Sequence, residues 1–118
     1  MANEVIRWYI DGTISRDKEE VGGVYTLVKN CVPDWVNLTV RVAGQGSLPL
    51  QIDIKDDGVS IFDSDYLPAL TENMTEHKWT TIPANKMRKG SKITCDINQT
   101  YSGIACRDLT IELGVTTE

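Results

Sequence analysis

Residues 50–61 read Leu50-Gln51-Ile52-Asp53-Ile54-Lys55-Asp56-Asp57-Gly58-Val59-Ser60-Ile61. Leu48, Leu50, Ile52 and Ile54 alternate with Pro49, Gln51, Asp53 and Lys55, so an extended chain puts the apolar side chains on one face and the polar ones on the other. Asp57-Gly58 then supplies what a tight hairpin needs, because its central residues take positive φ, which Asp and Gly tolerate. Counting outward from that turn sets Ile54 opposite Ile61, an apolar cross-strand pair. The stretch predicts strand, turn and strand, with one buried face.

The same alternation recurs along the chain. Val36, Leu38, Val40 and Val42 are interleaved with Asn37, Thr39 and Arg41. Ile93, Cys95 and Ile97 alternate with Thr94 and Asp96, and Leu109, Ile111, Leu113 and Val115 with Thr110, Glu112 and Gly114. Val5–Ile10 and Gly23–Val28, rich in β-branched and aromatic residues, read as two further strands. No window carries an apolar i, i+3, i+4, i+7 pattern, and Ala69–His77 has room for one helical turn at most. Asp11-Gly12, Gly22-Gly23, Gly44-Gln45-Gly46, Lys89-Gly90 and Ser102-Gly103 punctuate the runs. Phe62–Lys92, with Pro68 and Pro83, reads as a long connection holding one short strand near Trp79–Ile82. The pattern predicts an all-β fold, an antiparallel β-sandwich or jelly roll of about seven to eight strands in one domain over residues 1–118.

Composition narrows the function. Twelve basic side chains against seventeen acidic ones give a net charge of -5, a poor match for nucleic acid. No apolar run approaches the roughly 20 residues of a membrane span, and Met1–Ile10 lacks the layout of a signal peptide. Cys31, Cys95 and Cys106 include no CxxC pair, and a zinc site would have to gather all three with His77, the one histidine. A Cys95–Cys106 bridge is conceivable, but reduced thiols are expected, with Cys95 buried between Ile93 and Ile97.

Chemistry-bearing motifs are missing. If Asp53 opens a calcium loop, Gly58 falls at its sixth position, but Lys55 takes the third and Ser64 the twelfth, where carboxylates belong. Asp53, Asp56, Asp57, Asp63 and Asp65 then serve turns and hairpins, and no metal or cofactor is expected. His77, in the polar run Thr75-Glu76-His77-Lys78, reads as a solvated loop residue without a nucleophile to activate. Trp8, Tyr9, Trp35, Tyr66, Trp79 and Tyr101 offer platforms for a sugar, yet Trp8 and Trp35 lie in or beside strand patterns and are better read as core or subunit contacts. No enzyme is expected.

Taken in order, several segments resemble a known family. Arg7-Trp8-Tyr9-Ile10-Asp11-Gly12, then Gly22-Gly23 with Tyr25, is similar to the opening of a small β-sandwich domain common in virion structural proteins of tailed bacteriophages. Ile52–Phe62 resembles that family's central hairpin, and Ile82-Pro83-Ala84, Lys89–Ile97, Gly103 and Leu109–Leu113 resemble its tail. The chain departs from the family in carrying Ala43-Gly44-Gln45-Gly46-Ser47-Leu48-Pro49 where members have Ala-Pro-Thr-Gly, and in having a cysteine at position 95.

The resemblance implies a virion protein, either a decoration (cement) protein on the capsid or a fibre module that binds a host receptor or glycan. The first strand begins within five residues of Met1 and no shaft is visible, so decoration is the first expectation. The implied partner is the major capsid protein or another virion protein. A homo-oligomer is expected, such as a trimer on a threefold axis, in a virion assembled in the bacterial cytoplasm. Phe62, Tyr66, Leu67, Leu70, Met74 and Trp79 give the long connection more apolar content than a solvated loop needs, which makes them the candidate contact surface. Their other reading is that they close one end of the sandwich. The arm Met1–Ile6 is the second candidate surface.

Overall fold

The computed structural model describes residues 2–83 and 85–118. Nine strands are present among them: β1 (Glu4–Thr13), β2 (Tyr25–Thr26), β3 (Cys31–Val42), β4 (Leu50–Asp56), β5 (Val59–Ser60), β6 (Ala69–Leu70), β7 (Glu76–Trp79), β8 (Lys92–Gln99) and β9 (Arg107–Thr117). They form two antiparallel sheets, one ordered β1-β9-β3-β7 and the other β2-β8-β4-β5, with β6 also pairing to β4. The described residues contain no helix, and the segment 69–77 holds β6, a turn at 72–73 and the start of β7.

The period-two runs set the register. In β4 and β8, Ile52 pairs with Ile97 and Ile54 with Cys95, and all four side chains are buried. In β3 and β9, Leu38 pairs with Ile111 and Val36 with Leu113, again fully covered. Each pair contributes one closed patch to the layer between the sheets, and burying such side chains gives about 1.5–3 kcal/mol apiece. The hairpin forms where the sequence places it. Lys55 pairs with Ser60 and Asp56 with Val59, Asp57 and Gly58 both take positive φ, and the Ile61 N–H reaches the Ile54 carbonyl at 2.9 Å. Asp57 also fixes the tip to β8: its N–H donates to the Lys92 carbonyl, and its Oδ1 accepts the Lys92 N–H.

The short elements differ from expectation for a physical reason. The strand expected over Gly23–Val28 shrinks to Tyr25–Thr26, because Gly22 and Gly23 turn the chain with positive φ just before it. The strand expected near Trp79–Ile82 lies at Glu76–Trp79, where it pairs with Val36–Thr39 and closes the edge of the first sheet. His77 therefore stands half-buried in a strand opposite Leu38, not in a solvated loop. Its ring meets Trp79 edge-on, with centroids 5.9 Å apart.

Two bulges shape the first sheet. In β3 the register slips between Pro33 and Trp35, which turns the Trp35 ring outward across Gly114. A Cβ at Gly114 would stand 2.1 Å from that ring, and Lys78 Nζ lies 4.8 Å above the ring centre. In β1 the slip falls between Ile10 and Thr13, where Gly12 and Asp108 both have positive φ. Asp108 bridges the distortion, accepting the Gly12 N–H at 2.7 Å and the Arg41 guanidinium at 2.5 Å.

The Gly12 N–H, then the Arg41 guanidinium, hold the Asp108 carboxyl below the usual carboxylate range. A carboxyl depressed by folding stabilises the fold above its unfolded pKa, about 3.9, and loses that contribution as the pH falls through the lower folded value. Asp108→Asn, which still tolerates positive φ, is expected to lower Tm at neutral pH. The gap from wild type should close as both are titrated below the ordinary carboxylate range. A gap that is constant down to strong acid would show that the charge on Asp108 contributes nothing.

Candidate functional site

The six residues of the expected contact surface all lie along the flank formed by β5, β6 and β7, but they do not share one environment. Phe62 and Leu70 are buried in the core. Leu70 goes inward because β6 pairs with the start of β4, where Leu70 faces Leu50. Leu67, Met74 and Trp79 are half-buried and pack, with Ile82, against the same core. The Met74 sulfur accepts from the Thr71 hydroxyl at 2.8 Å, and the Trp79 indole N–H donates to the Thr81 carbonyl at 3.1 Å. Five of the six thus close the side of the sandwich.

Tyr66 is the exception, 60% exposed at the tip of an excursion between two fixed points on β4. One point is the Ile61 bond to Ile54, and the other is the Ile52 N–H to the Pro68 carbonyl at 3.0 Å. Between them, Asp63 turns the chain by accepting the Asp65 N–H on its side chain and the Tyr66 N–H on its carbonyl. The excursion holds an aromatic side chain in solvent on a short, internally bonded loop.

In the second candidate surface, Met1–Ile6, the residues Glu4–Ile6 belong to β1. Met1 lies outside the described residues. The Asn3 N–H donates to the Val115 carbonyl, its side chain accepts from the Thr117 N–H, and Ile6 is core.

The groups that could carry chemistry are tied into the structure. All three cysteines are free thiols and buried. Burial pushes Cys106 up to about 11 and Cys95 well above the ordinary thiol value, so both resist forming the reactive thiolate. Asp53 accepts the Ser60 hydroxyl at 2.5 Å and faces Asp96 across the β4–β8 ladder. Lys55 neutralises that like-charged pair through a 3.0 Å contact to Asp96, whose other oxygen accepts the Glu20 N–H. Desolvation pushes the Asp53 carboxyl up, against the opposing pull of Ser60 and Lys55. Among the described residues, no three His, Cys, Asp or Glu side chains are placed to hold a metal ion. Two surface grooves, of about 460 and 420 Å³, are lined mainly by charged and hydroxyl side chains, and neither His77 nor a cysteine lines them.

The aromatic platforms divide in the same way. Trp8 and Tyr101 are core, Trp35 and Trp79 are half-buried, and Tyr9 and Tyr66 are exposed. Tyr101 is seated on Gly44, where a Cβ would come within 2.2 Å of its ring. This contact explains the glycine at the start of the Gly44-Gln45-Gly46 loop.

No protein-family model and no curated protein matches the sequence. Among solved structures, the chain is similar to one in the capsid of Ralstonia phage GP4. The TM-score is 0.59 and the identity 14%, over 100% of this chain and 87% of that one. At that identity the similarity is one of fold, an all-β sandwich shared along the full length.

Proposed function

We propose that this chain is a one-domain, non-enzymatic structural protein of a tailed-bacteriophage virion that decorates the assembled capsid and stabilises its lattice. The observation that carries the reading is the fold shared, end to end, with a chain of the Ralstonia phage GP4 capsid. The ordered segments from Arg7–Gly12 to Leu109–Leu113, which resemble the phage sandwich domain, support it from the sequence side. The physics of decoration asks for little chemistry. A subunit that binds only the assembled lattice shifts the assembly equilibrium by mass action, with no bond made or broken. What it needs is a rigid body and a surface that is desolvated on docking. The buried thiols and the closed core suit the first need.

The partner in this reading is the major capsid protein, met by a trimer on a threefold axis or by a monomer bridging neighbouring capsomers. Tyr66 is the anchor of the contact surface, since it is the one member of the flank that presents an aromatic ring to solvent. Sedimentation with undecorated particles tests this reading. Wild type is expected to pellet with particles and not with unassembled capsid protein, and Tyr66→Ala to weaken binding by about tenfold or more. Trp79→Ala, checked for folding, probes the half-buried part of the same flank. If wild type does not bind particles, decoration fails and a fibre role with a glycan or receptor ligand takes its place. If both variants bind as wild type does, the contact surface lies elsewhere.

A further inference from the structure

A groove of about 460 Å³ runs between β1 and the segment 14–22, which leaves β1 and crosses to the second sheet. Ile14, Val21 and Ile97, all buried, form its floor. Tyr9, Asp11 and Thr13 of β1 line one wall, and Ser15, Arg16, Lys18 and Glu20 line the other. The backbone holds both walls in place. The Ile14 N–H donates to the Cys106 carbonyl at 3.0 Å, Lys18 and Ile97 exchange two bonds at 3.1 and 2.8 Å, and the Val21 N–H donates to the Cys95 carbonyl at 2.7 Å. A groove braced in this way is shaped before any ligand arrives, which lowers the ordering cost of binding.

Each wall departs from regular backbone at the groove. In β1 the register slips between Ile10 and Thr13, and such bulges re-aim the side chains beside them. On the other wall, Glu20 takes a positive φ of 51°, a conformation that a long side chain seldom adopts. Its N–H is held there by Asp96 Oδ1 at 2.9 Å. Residues fixed in sparsely populated conformations gather at binding sites, where position matters more than local comfort.

The side chains suit a neutral, polar ligand. Asp11 and Glu20 balance Arg16 and Lys18, so the lining has no net charge in a chain of net charge -5. The ion pairs of the described residues use none of these four. An ion of either sign therefore gains little here. A polyol gains more, because its hydroxyls both donate and accept: carboxylates accept from it, the guanidinium and ammonium donate to it, and Thr13 and Ser15 do either. Tyr9, at the rim, is 54% exposed, and its hydroxyl donates to Asp11 Oδ1 at 3.3 Å, which ties down the ring. A sugar has polar edges and an apolar C–H face, and an exposed aromatic ring offers that face a partner. The volume has room for roughly one or two sugar rings.

We infer that this groove is a binding site for a neutral sugar, with the Tyr9 ring as its stacking platform and Asp11, Arg16 and Glu20 holding its hydroxyls. The inference does not rest on the decoration reading, which places the capsid contact at Tyr66.

The test is an amide NMR titration of the full chain, without particles. The probes are glucose, galactose, mannose, N-acetylglucosamine, maltose and lactose, each taken to about 50 mM to catch the millimolar affinity of a shallow site. At least one is expected to give saturable shifts centred on residues 9–22. Tyr9→Ala and, separately, Arg16→Ala, each shown to be folded by its melting temperature, should weaken that binding by about tenfold. Tyr25→Ala, which removes an exposed aromatic ring elsewhere, should leave it unchanged. The affinity should also be the same at about 50 and about 500 mM salt, because the ligand is uncharged. The inference is overturned if no probe gives saturable shifts, if the shifts centre outside residues 9–22, or if both groove variants bind as wild type does. Loss of binding at high salt would mean that charge carries it, and would overturn the assignment to a neutral ligand. Particle binding, measured separately, decides the decoration reading whatever the sugars do.

Discussion

Trp8→Ala is expected to cost the fold about 3–5 kcal/mol, the range for emptying a buried aromatic site. Trp8 is 2% exposed and belongs to β1, at the edge of the first sheet. Its indole N–H donates at 3.2 Å to the Gly23 carbonyl, on the chain that enters β2 at the edge of the second sheet. Gly22 lies so close that a Cβ there would sit 3.1 Å from the Trp8 Cβ. One side chain thus pins the two sheets together along an open side, and alanine both empties the site and leaves the Gly23 carbonyl without that donor. Domains of this size hold about 5–15 kcal/mol in total, so the variant should unfold at much lower urea than wild type. A loss below about 1 kcal/mol would place the closure of that side in other contacts.

Ile52→Ala tests the opposite layer and is expected to cost about 2–5 kcal/mol. Ile52 is fully buried, pairs with Ile97 across the ladder, and lies at a register slip that starts at Gln51. Its N–H also holds the Pro68 carbonyl, so the backbone around it is fixed from both sides and cannot collapse into the space left by the missing atoms. Poor relaxation puts the cost toward the upper part of the range. Chemical unfolding with an unchanged m-value gives the number; a changed m-value would mean that the native or the unfolded ensemble had altered instead.

The inward faces were legible because one side chain in two had to be apolar. Leu38, Ile52, Ile54, Ile93, Ile111 and Leu113 stand out in the sequence as buried and are 0% exposed in the structure. The hairpin was legible because Asp57-Gly58 encodes its own backbone angles. The flank was not. Between Phe62 and Trp79 no period separates inward from outward residues, so Phe62 and Leu70 look the same as Tyr66 in sequence. What sorts them is pairing with the far edge of β4, a contact made only when the chain returns from the hairpin. The strand position of His77 is illegible for the same reason, since its partner Leu38 lies on β3.

The most direct test of the decoration account is the heat stability of undecorated particles with and without this protein at saturating concentration. A ligand of the assembled lattice alone must raise the temperature of disassembly, more so as its concentration rises above the dissociation constant. The account predicts that rise, together with saturation at a fixed number of copies per particle. Particles that come apart at the same temperature with or without the protein would contradict it.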